Sequence, residues 1–158
     1  MNKYDRQLTQ SASKNFRADY EIWTDGSCAN NPGKGGYGVV IKNGSGKNRE
    51  VHGGYRLTTN NRMELMAVIR GLSEVTELGK RILVYSDSKY VVEGFTLGWA
   101  EKWKSNGWRR KDSGKWRPAK NSDLWEELLR LCTKHTVWMS WIPGHNWIAD
   151  NEYVDALA

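Results

Sequence analysis

The chain has 158 residues, 24 Lys and Arg against 18 Asp and Glu, a formal net charge of +6 and 39% hydrophobic content. A chain of that length suits one domain burying about two-thirds of its unfolded surface. Its longest apolar run, Ile82–Tyr85, is far too short to span a bilayer, and Cys28 and Cys132 form neither a spaced metal motif nor a disulfide framework.

Residues 1–19 are polar and aperiodic, without the hydrophobic core of a secretion signal. They are expected to be a loosely attached arm before a single domain at 20–158. Two reduced thiols then fit a cytoplasmic protein that has no membrane partner.

The stretch Glu21–Ile41, EIWTDGSCANNPGKGGYGVVI, reads as strand, turn, strand with one carboxylate, Asp25, on the first strand. Asp25-Gly26 could itself form a hairpin turn, but the stronger turn cluster Asn30-Asn31-Pro32-Gly33 follows only five residues later. Strands are expected at about 20–29 and 36–42. The Gly-rich link between them lacks the Gly-Lys-Ser/Thr ending and the following helix of a phosphate-binding P-loop. A turn at 43–46 leads to a third strand at about 48–56, completing an antiparallel meander.

From Asn60 the period becomes helical: Leu65, Val68, Ile69 and Leu72 fall at i, i+3, i+4 and i+7. Glu64 borders this stripe, and Asn61-x-x-Glu64 resembles a capping box, so capping alone could account for the acid. Arg81–Tyr85 is a short buried strand that ends in Ser86-Asp87-Ser88, and a helix follows at about 88–97. Helices on either side of a strand indicate parallel crossovers. Asp87 then lies at the carboxyl end of a parallel strand, where open α/β sheets hold ligands, although an Asp before a helix can equally be a cap.

All of the excess charge falls in residues 99–120, where eight basic side chains face two acids. Trp99, Trp103, Trp108 and Trp116 are interleaved with them. A solvated amphipathic helix would explain this pattern, and so would a protruding surface for a sugar-phosphate backbone. The localisation of the charge favours nucleic acid. Leu124, Leu128 and Leu131 mark another helix, and Val137 and Met139 alternate with Trp138 in a last strand at 136–142. A loop with His145 follows, and a terminal helix near Asp150 carries Asp155. In a sheet ordered 3-2-1-4-5, Asp25, Glu64, Asp87 and Asp155 meet at one edge. Clustered carboxylates need protons or cations, and Mg²⁺ prefers oxygen ligands.

Taken together these segments resemble type 1 ribonuclease H in its bacterial form. The resemblance is carried by Thr24-Asp25-Gly26-Ser27-Cys28, Asn31-Pro32-Gly33, Gly36-Tyr37-Gly38 and Thr58-Thr59-Asn60-Asn61-Arg62-Met63-Glu64-Leu65. It continues through Ser86-Asp87-Ser88-x-Tyr90-Val91, Gly107-Trp108, Lys120-Asn121-x-Asp123-Leu124-Trp125, Gly144-His145 and Asn151-Glu152-x-x-Asp155. It covers about residues 20–158 in one order. The fold it implies is an α/β ribonuclease H-like domain, a five-stranded mixed sheet (order 3-2-1-4-5) with helices on both faces.

The activity it implies is endonucleolytic cleavage of the RNA strand of an RNA–DNA hybrid, leaving 5′-phosphate and 3′-hydroxyl ends. Two Mg²⁺ ions, with Mn²⁺ a possible substitute, would sit among Asp25, Glu64, Asp87 and Asp155. His145 would help protons move or product leave. Cys28, Asn31, Asn60, Asn61 and Lys89 match minor-groove positions that sense the 2′-hydroxyl, and Lys89 stands where many relatives have Gln. Thr59 and Asn121 match a pocket for a DNA-strand phosphate, and Trp99, Trp103, Lys104 and Trp108 match the protrusion along the DNA strand. A monomer is expected.

The chain departs from the family pattern at Trp147 and Ile148, where Gly and His are usual after the first histidine, which implies a stiffer loop and altered product release. It also stops three residues after Asp155, and so short a helix would depend on tertiary packing to place the acid. Two other readings are a DNA-cutting nuclease on the same scaffold and a non-catalytic hybrid-binding module. The Thr-Asn-Asn-Arg-Met-Glu stretch argues against the first, and the four acids argue against the second.

Overall fold

The computed structural model describes residues 17–44 and 46–143. Three antiparallel strands open the fold: β1 (Tyr20–Cys28), β2 (Gly33–Asn43) and β3 (Asn48–Thr58). Helix α1 (Asn60–Ser73) crosses to β4 (Arg81–Ser86), which pairs in parallel with β1. Helices α2 (Lys89–Thr96) and α3 (Trp99–Ser105) follow, then a hairpin of β5 (Arg109–Asp112) and β6 (Lys115–Pro118). Helix α4 (Ser122–Cys132) leads to β7 (Thr136–Trp141), parallel to β4. The main sheet runs β3-β2-β1-β4-β7. This is the expected order, with β7 in the fifth place because the hairpin adds two strands of its own.

Strand alternation assigns the two faces. Ile22, Ile82, Val84, Val137 and Met139 join a large core with the stripe of α1, the apolar side of α2 and the leucines of α4. Leu65, Val68 and Leu72 of that stripe are at most 1% exposed, each contributing about 1.5–3 kcal/mol by burial. The residues between them in sequence form a smaller cluster on the opposite face, Leu83, Tyr85, Trp138 and Ile142, with Trp23 packed against it. The four helices among the described residues supply side chains to, or pack beside, the large core. The terminal helix expected from Asp150 lies outside the described residues. Asp19 is tied to the start of β4, donating its N–H to Arg81 O and accepting Arg81 N–H at its carboxylate, both at 2.8 Å.

Three local alternatives left open by the sequence are decided. The N-cap of α1 is Thr59, whose hydroxyl accepts the Arg62 N–H at 3.2 Å, so Asn61-x-x-Glu64 is not the capping pair. The N-cap of α2 is Ser88, whose hydroxyl accepts the Val91 N–H, which frees Asp87 from that role. The basic segment is a short helix followed by a hairpin rather than one amphipathic helix. Ser113 and Gly114 both have positive φ, 49° and 81°, as a two-residue type I′ loop requires.

Candidate active site

The β1–β4 register brings the first two acids together. Trp23 lies opposite Tyr85, so two residues further on Asp25 stands level with Asp87, just past the end of β4. The Thr24 hydroxyl donates to Tyr85 O at 2.9 Å inside the core and holds the two strands in that register. Trp141, near the end of β7, donates its indole N–H to Asp87 O at 3.0 Å, fixing the turn that carries the acid. Asp25 itself sits mid-ladder opposite Gly38 and is therefore not in a turn.

The third acid arrives on α1, because the helix packs directly on β1 at Gly26. A Cβ built at Gly26 would lie 2.5 Å from Met63 C and 2.6 Å from Glu64 N, so only glycine permits this approach. Glu64 Oε1 accepts the Gly26 N–H at 3.3 Å. Asp25, Glu64 and Asp87 each bring a carboxylate oxygen within 4.8 Å of the others. Glu64 Oε2 is shut off from solvent and meets no hydrogen-bond donor among the described residues. Only a cation, or a proton shared with Asp87, would satisfy it. An all-oxygen set with one orphaned buried atom fits a hard divalent ion.

Burial, then the charges of Asp87 and Asp25, hold the Glu64 carboxyl well above the ordinary carboxylate range, against the opposing Gly26 N–H. Folding therefore favours protonated Glu64. That contribution to stability is complete below the ordinary Glu value and is lost as pH rises through the raised folded value. Metal-free Glu64→Gln is expected to be more stable than wild type near pH 8, by about 1 kcal/mol or roughly 2–4 °C. The difference should close near pH 4, about the ordinary Glu value. Thermal unfolding in chelator at both pH values checks this.

The other predicted residues fall into two groups. Around the acids, the Cys28 thiol donates to Asn30 O (2.8 Å) and faces Thr58 O (3.3 Å). Asn31 Oδ1 accepts the Asn60 N–H at 3.2 Å, joining the β1–β2 loop to the tip of α1. Asn61 is exposed on that tip. The Lys89 ammonium lies 4.9 Å from the Trp141 ring centroid. Further out, Trp99, Trp103 and Lys104 are on α3, and Trp108, at φ 61°, turns the chain into the hairpin. His145 and Asp155 lie outside the described residues, as do Trp147 and Ile148.

A network that the sequence did not suggest links these groups. Arg62 donates to both carboxylate oxygens of Asp123 (3.0 and 2.7 Å) and to Asn121 Oδ1 (3.3 Å). Asn121 Nδ2 and Trp125 Nε1 both donate to the Tyr90 hydroxyl, at 3.1 and 2.9 Å. Asn121, left-handed at φ 60°, is thus fixed from two sides, with Thr59 capping the same helix that carries Arg62. Arg62 was visible inside its motif, but its partner lies 61 residues away and has no local signature.

Comparison with known proteins assigns the family. The RNase H family matches residues 17–158. Ribonuclease H of Trichodesmium erythraeum is 50% identical over 142 residues, 90% of this chain and 87% of that protein. Ribonuclease HI of Synechocystis is 49% identical over 137 residues, 87% of this chain and 83% of that protein. Among solved structures, LC9-RNase H1, a type 1 RNase H with the type 2 active-site motif, matches at TM-score 0.70 and 32% identity, covering 90% of this chain and 72% of that one. LC11-RNase H1, solved in complex with an RNA/DNA hybrid, shares the fold at TM-score 0.61 and 21% identity, covering 87% of this chain and 94% of that one. With three acids gathered where β1, α1 and β4 meet, and about half of the aligned residues shared with bacterial relatives, the chain belongs to the ribonuclease H family, in its type 1 branch.

Proposed function

We propose that this ribonuclease H hydrolyses the RNA strand of RNA–DNA hybrids at Asp25, Glu64 and Asp87, with Asp155 as a fourth acid and two divalent cations, Mg²⁺ or Mn²⁺, held among them. The observation that carries the reading is the convergence of three carboxylates within 4.8 Å, a concentration of negative charge that cations or protons must offset. When bound, such ions acidify the attacking water and offset charge on the leaving 3′-oxygen. The chain supplies the positioning. The Gly26 N–H orients Glu64, and the Trp141 indole holds the backbone of Asp87. His145 is the candidate for moving a proton at the leaving group or releasing product.

Recognition of the hybrid is assigned to the rim. Cys28, Asn31, Asn60 and Asn61 would read the 2′-hydroxyl side of the minor groove, a role supported by the hydrogen bond that joins Asn31 to Asn60. Lys89 would add a cation beside the scissile strand. Thr59 and Asn121 would hold a DNA-strand phosphate, supported by the Arg62 network that sets both. Trp99, Trp103, Lys104 and Trp108 would follow the DNA strand. No helix among the described residues is long and apolar enough to cross a membrane. Two free thiols support a cytoplasmic enzyme, proposed to act as a monomer.

End-labelled hybrid, double-stranded RNA and double-stranded DNA, each incubated with Mg²⁺, Mn²⁺ or chelator, test the reading. Cleavage confined to the RNA of the hybrid and lost in chelator supports it, and cleavage of double-stranded DNA contradicts it. Neutralising Arg109, Arg110 and Lys111 together is expected to weaken hybrid binding. It should also flatten the log–log salt dependence by a slope of up to about 3. Fluorescence anisotropy across a salt series gives the slope, and an unchanged slope removes the protrusion from the binding surface.

A further inference from the structure

Helix α4 begins on an Asn whose side chain does not cap it. Asn121 is the N-cap, and its backbone carbonyl accepts the Trp125 N–H at 3.0 Å. An N-cap Asn ordinarily turns its side chain onto the N–H groups of the first turn. Here the side chain makes no such bond, and the backbone is left-handed at φ 60°. The amide reaches elsewhere: Oδ1 accepts from Arg62 at 3.3 Å, and Nδ2 donates to the Tyr90 hydroxyl at 3.1 Å. That orientation is forced, because a guanidinium can only donate. Trp125 Nε1, at 2.9 Å, holds the same hydroxyl from the core.

The two residues that Asn121 joins stand next to two of the clustered acids. Arg62 is in the first turn of α1, just before Glu64, with its guanidinium gripped by Asp123 at 3.0 and 2.7 Å. Tyr90 is in the first turn of α2, just after Asp87. The sheet anchors these acids on one side, where the Gly26 N–H meets Glu64 and the Trp141 indole meets Asp87 O. Ionised, as a cation site requires, carboxylates within 4.8 Å of one another repel, and the repulsion drives the two helix starts apart. The chain of bonds Arg62–Asn121–Tyr90 runs between those helix starts and opposes the separation.

We infer that Tyr90 is a positioning residue of the carboxylate cluster: through Asn121 and Arg62 it straps the start of α2 to the start of α1, and so sets the Asp87–Glu64 spacing that a divalent ion must span. Tyr90 touches neither ion nor substrate in this role. Mg²⁺ demands near-ideal ligand geometry, so a small change of spacing is felt as lost affinity. The inference rests on the metal reading of Asp25, Glu64 and Asp87, and it gives Asn121 a duty beyond the DNA-strand phosphate. It also explains the missing side-chain cap. A cap would stabilise α4 alone, whereas the bridge fixes α1, α2 and α4 in one arrangement.

The test is Mn²⁺ binding by the free protein, read from the electron paramagnetic resonance signal of unbound Mn²⁺. No nucleic acid is present, so a change in hybrid grip does not enter. Tyr90→Phe keeps the ring but removes the acceptor of Asn121 Nδ2, and is expected to weaken Mn²⁺ binding about fivefold, the size of one net hydrogen bond. Arg62→Met cuts the bridge at its other end and should give a similar loss, although it removes a positive charge. Trp125→Phe controls for general loosening. It takes away the other N–H on the Tyr90 hydroxyl and opens space in the core, so it should lower Tm with Mn²⁺ affinity unchanged. The inference is overturned if Tyr90→Phe or Arg62→Met binds Mn²⁺ as wild type does, or if Trp125→Phe weakens binding as much as they do. A wild-type protein that binds no Mn²⁺ would overturn the metal reading itself, whereas wild-type binding with an unaffected Tyr90→Phe would leave that reading standing.

Discussion

Asp25→Asn is expected to lower hybrid cleavage by at least about a thousandfold, or ~4 kcal/mol of barrier, with hybrid affinity unchanged or tighter. The two effects separate because Asp25 contributes differently to each. As one of three carboxylates within 4.8 Å, it would supply charge that a divalent ion needs, whereas Asn would supply a neutral oxygen of nearly the same shape. Toward the nucleic acid the same charge is repulsive, so removing it favours binding of phosphate. Single-turnover cleavage in Mg²⁺ alongside anisotropy in chelator reads both. A variant retaining a tenth of wild-type turnover would mean that Asp25 is not among the groups that do the chemistry.

Gly26→Ala is expected to produce a large loss of stability from a single methyl group. The new Cβ would meet backbone atoms, Met63 C at 2.5 Å and Glu64 N at 2.6 Å, and a helix backbone cannot turn aside as a side chain can. Either α1 lifts from β1 or the strand bends. We expect about 3 kcal/mol of destabilisation, roughly 6–12 °C in Tm. Turnover should fall as well, since α1 carries Glu64 and the Gly26 N–H is its hydrogen-bond donor. Circular dichroism melts and initial rates on the same preparation check both parts, and an unshifted Tm would contradict the close packing described.

The legible parts of the fold were those with a period. The stripe Leu65, Val68 and Leu72 announced α1, and the alternation in Val137, Trp138 and Met139 announced β7 with its two faces correctly opposed. Asp25 stood out because a stronger turn signal close behind it removed its ordinary explanation. Asp87 and Glu64 were harder, since each had a plausible capping role. What decided them was partly local, with Thr59 and Ser88 taking the caps, and partly tertiary, with Glu64 turned toward a glycine 38 residues away. The hairpin was hidden because Arg109–Asp112 is all charged and shows no apolar alternation. The Arg62–Asp123 fork and the Trp141–Asp87 bond join residues 61 and 54 apart in sequence, and spacing carries no record of such contacts.

Asp25, Glu64, Asp87 and Asp155 are together proposed to hold the divalent ions of a hybrid-cutting centre. The most direct measurement is anomalous diffraction at the manganese edge from crystals with Mn²⁺ and a hybrid blocked against cleavage by 2′-O-methylation. Manganese peaks are expected within bonding distance of Asp25, Glu64 and Asp87, with Asp155 bound to the same ions. Peaks elsewhere, or ions bound with duplex in place and without Asp155 among their ligands, would rule this out.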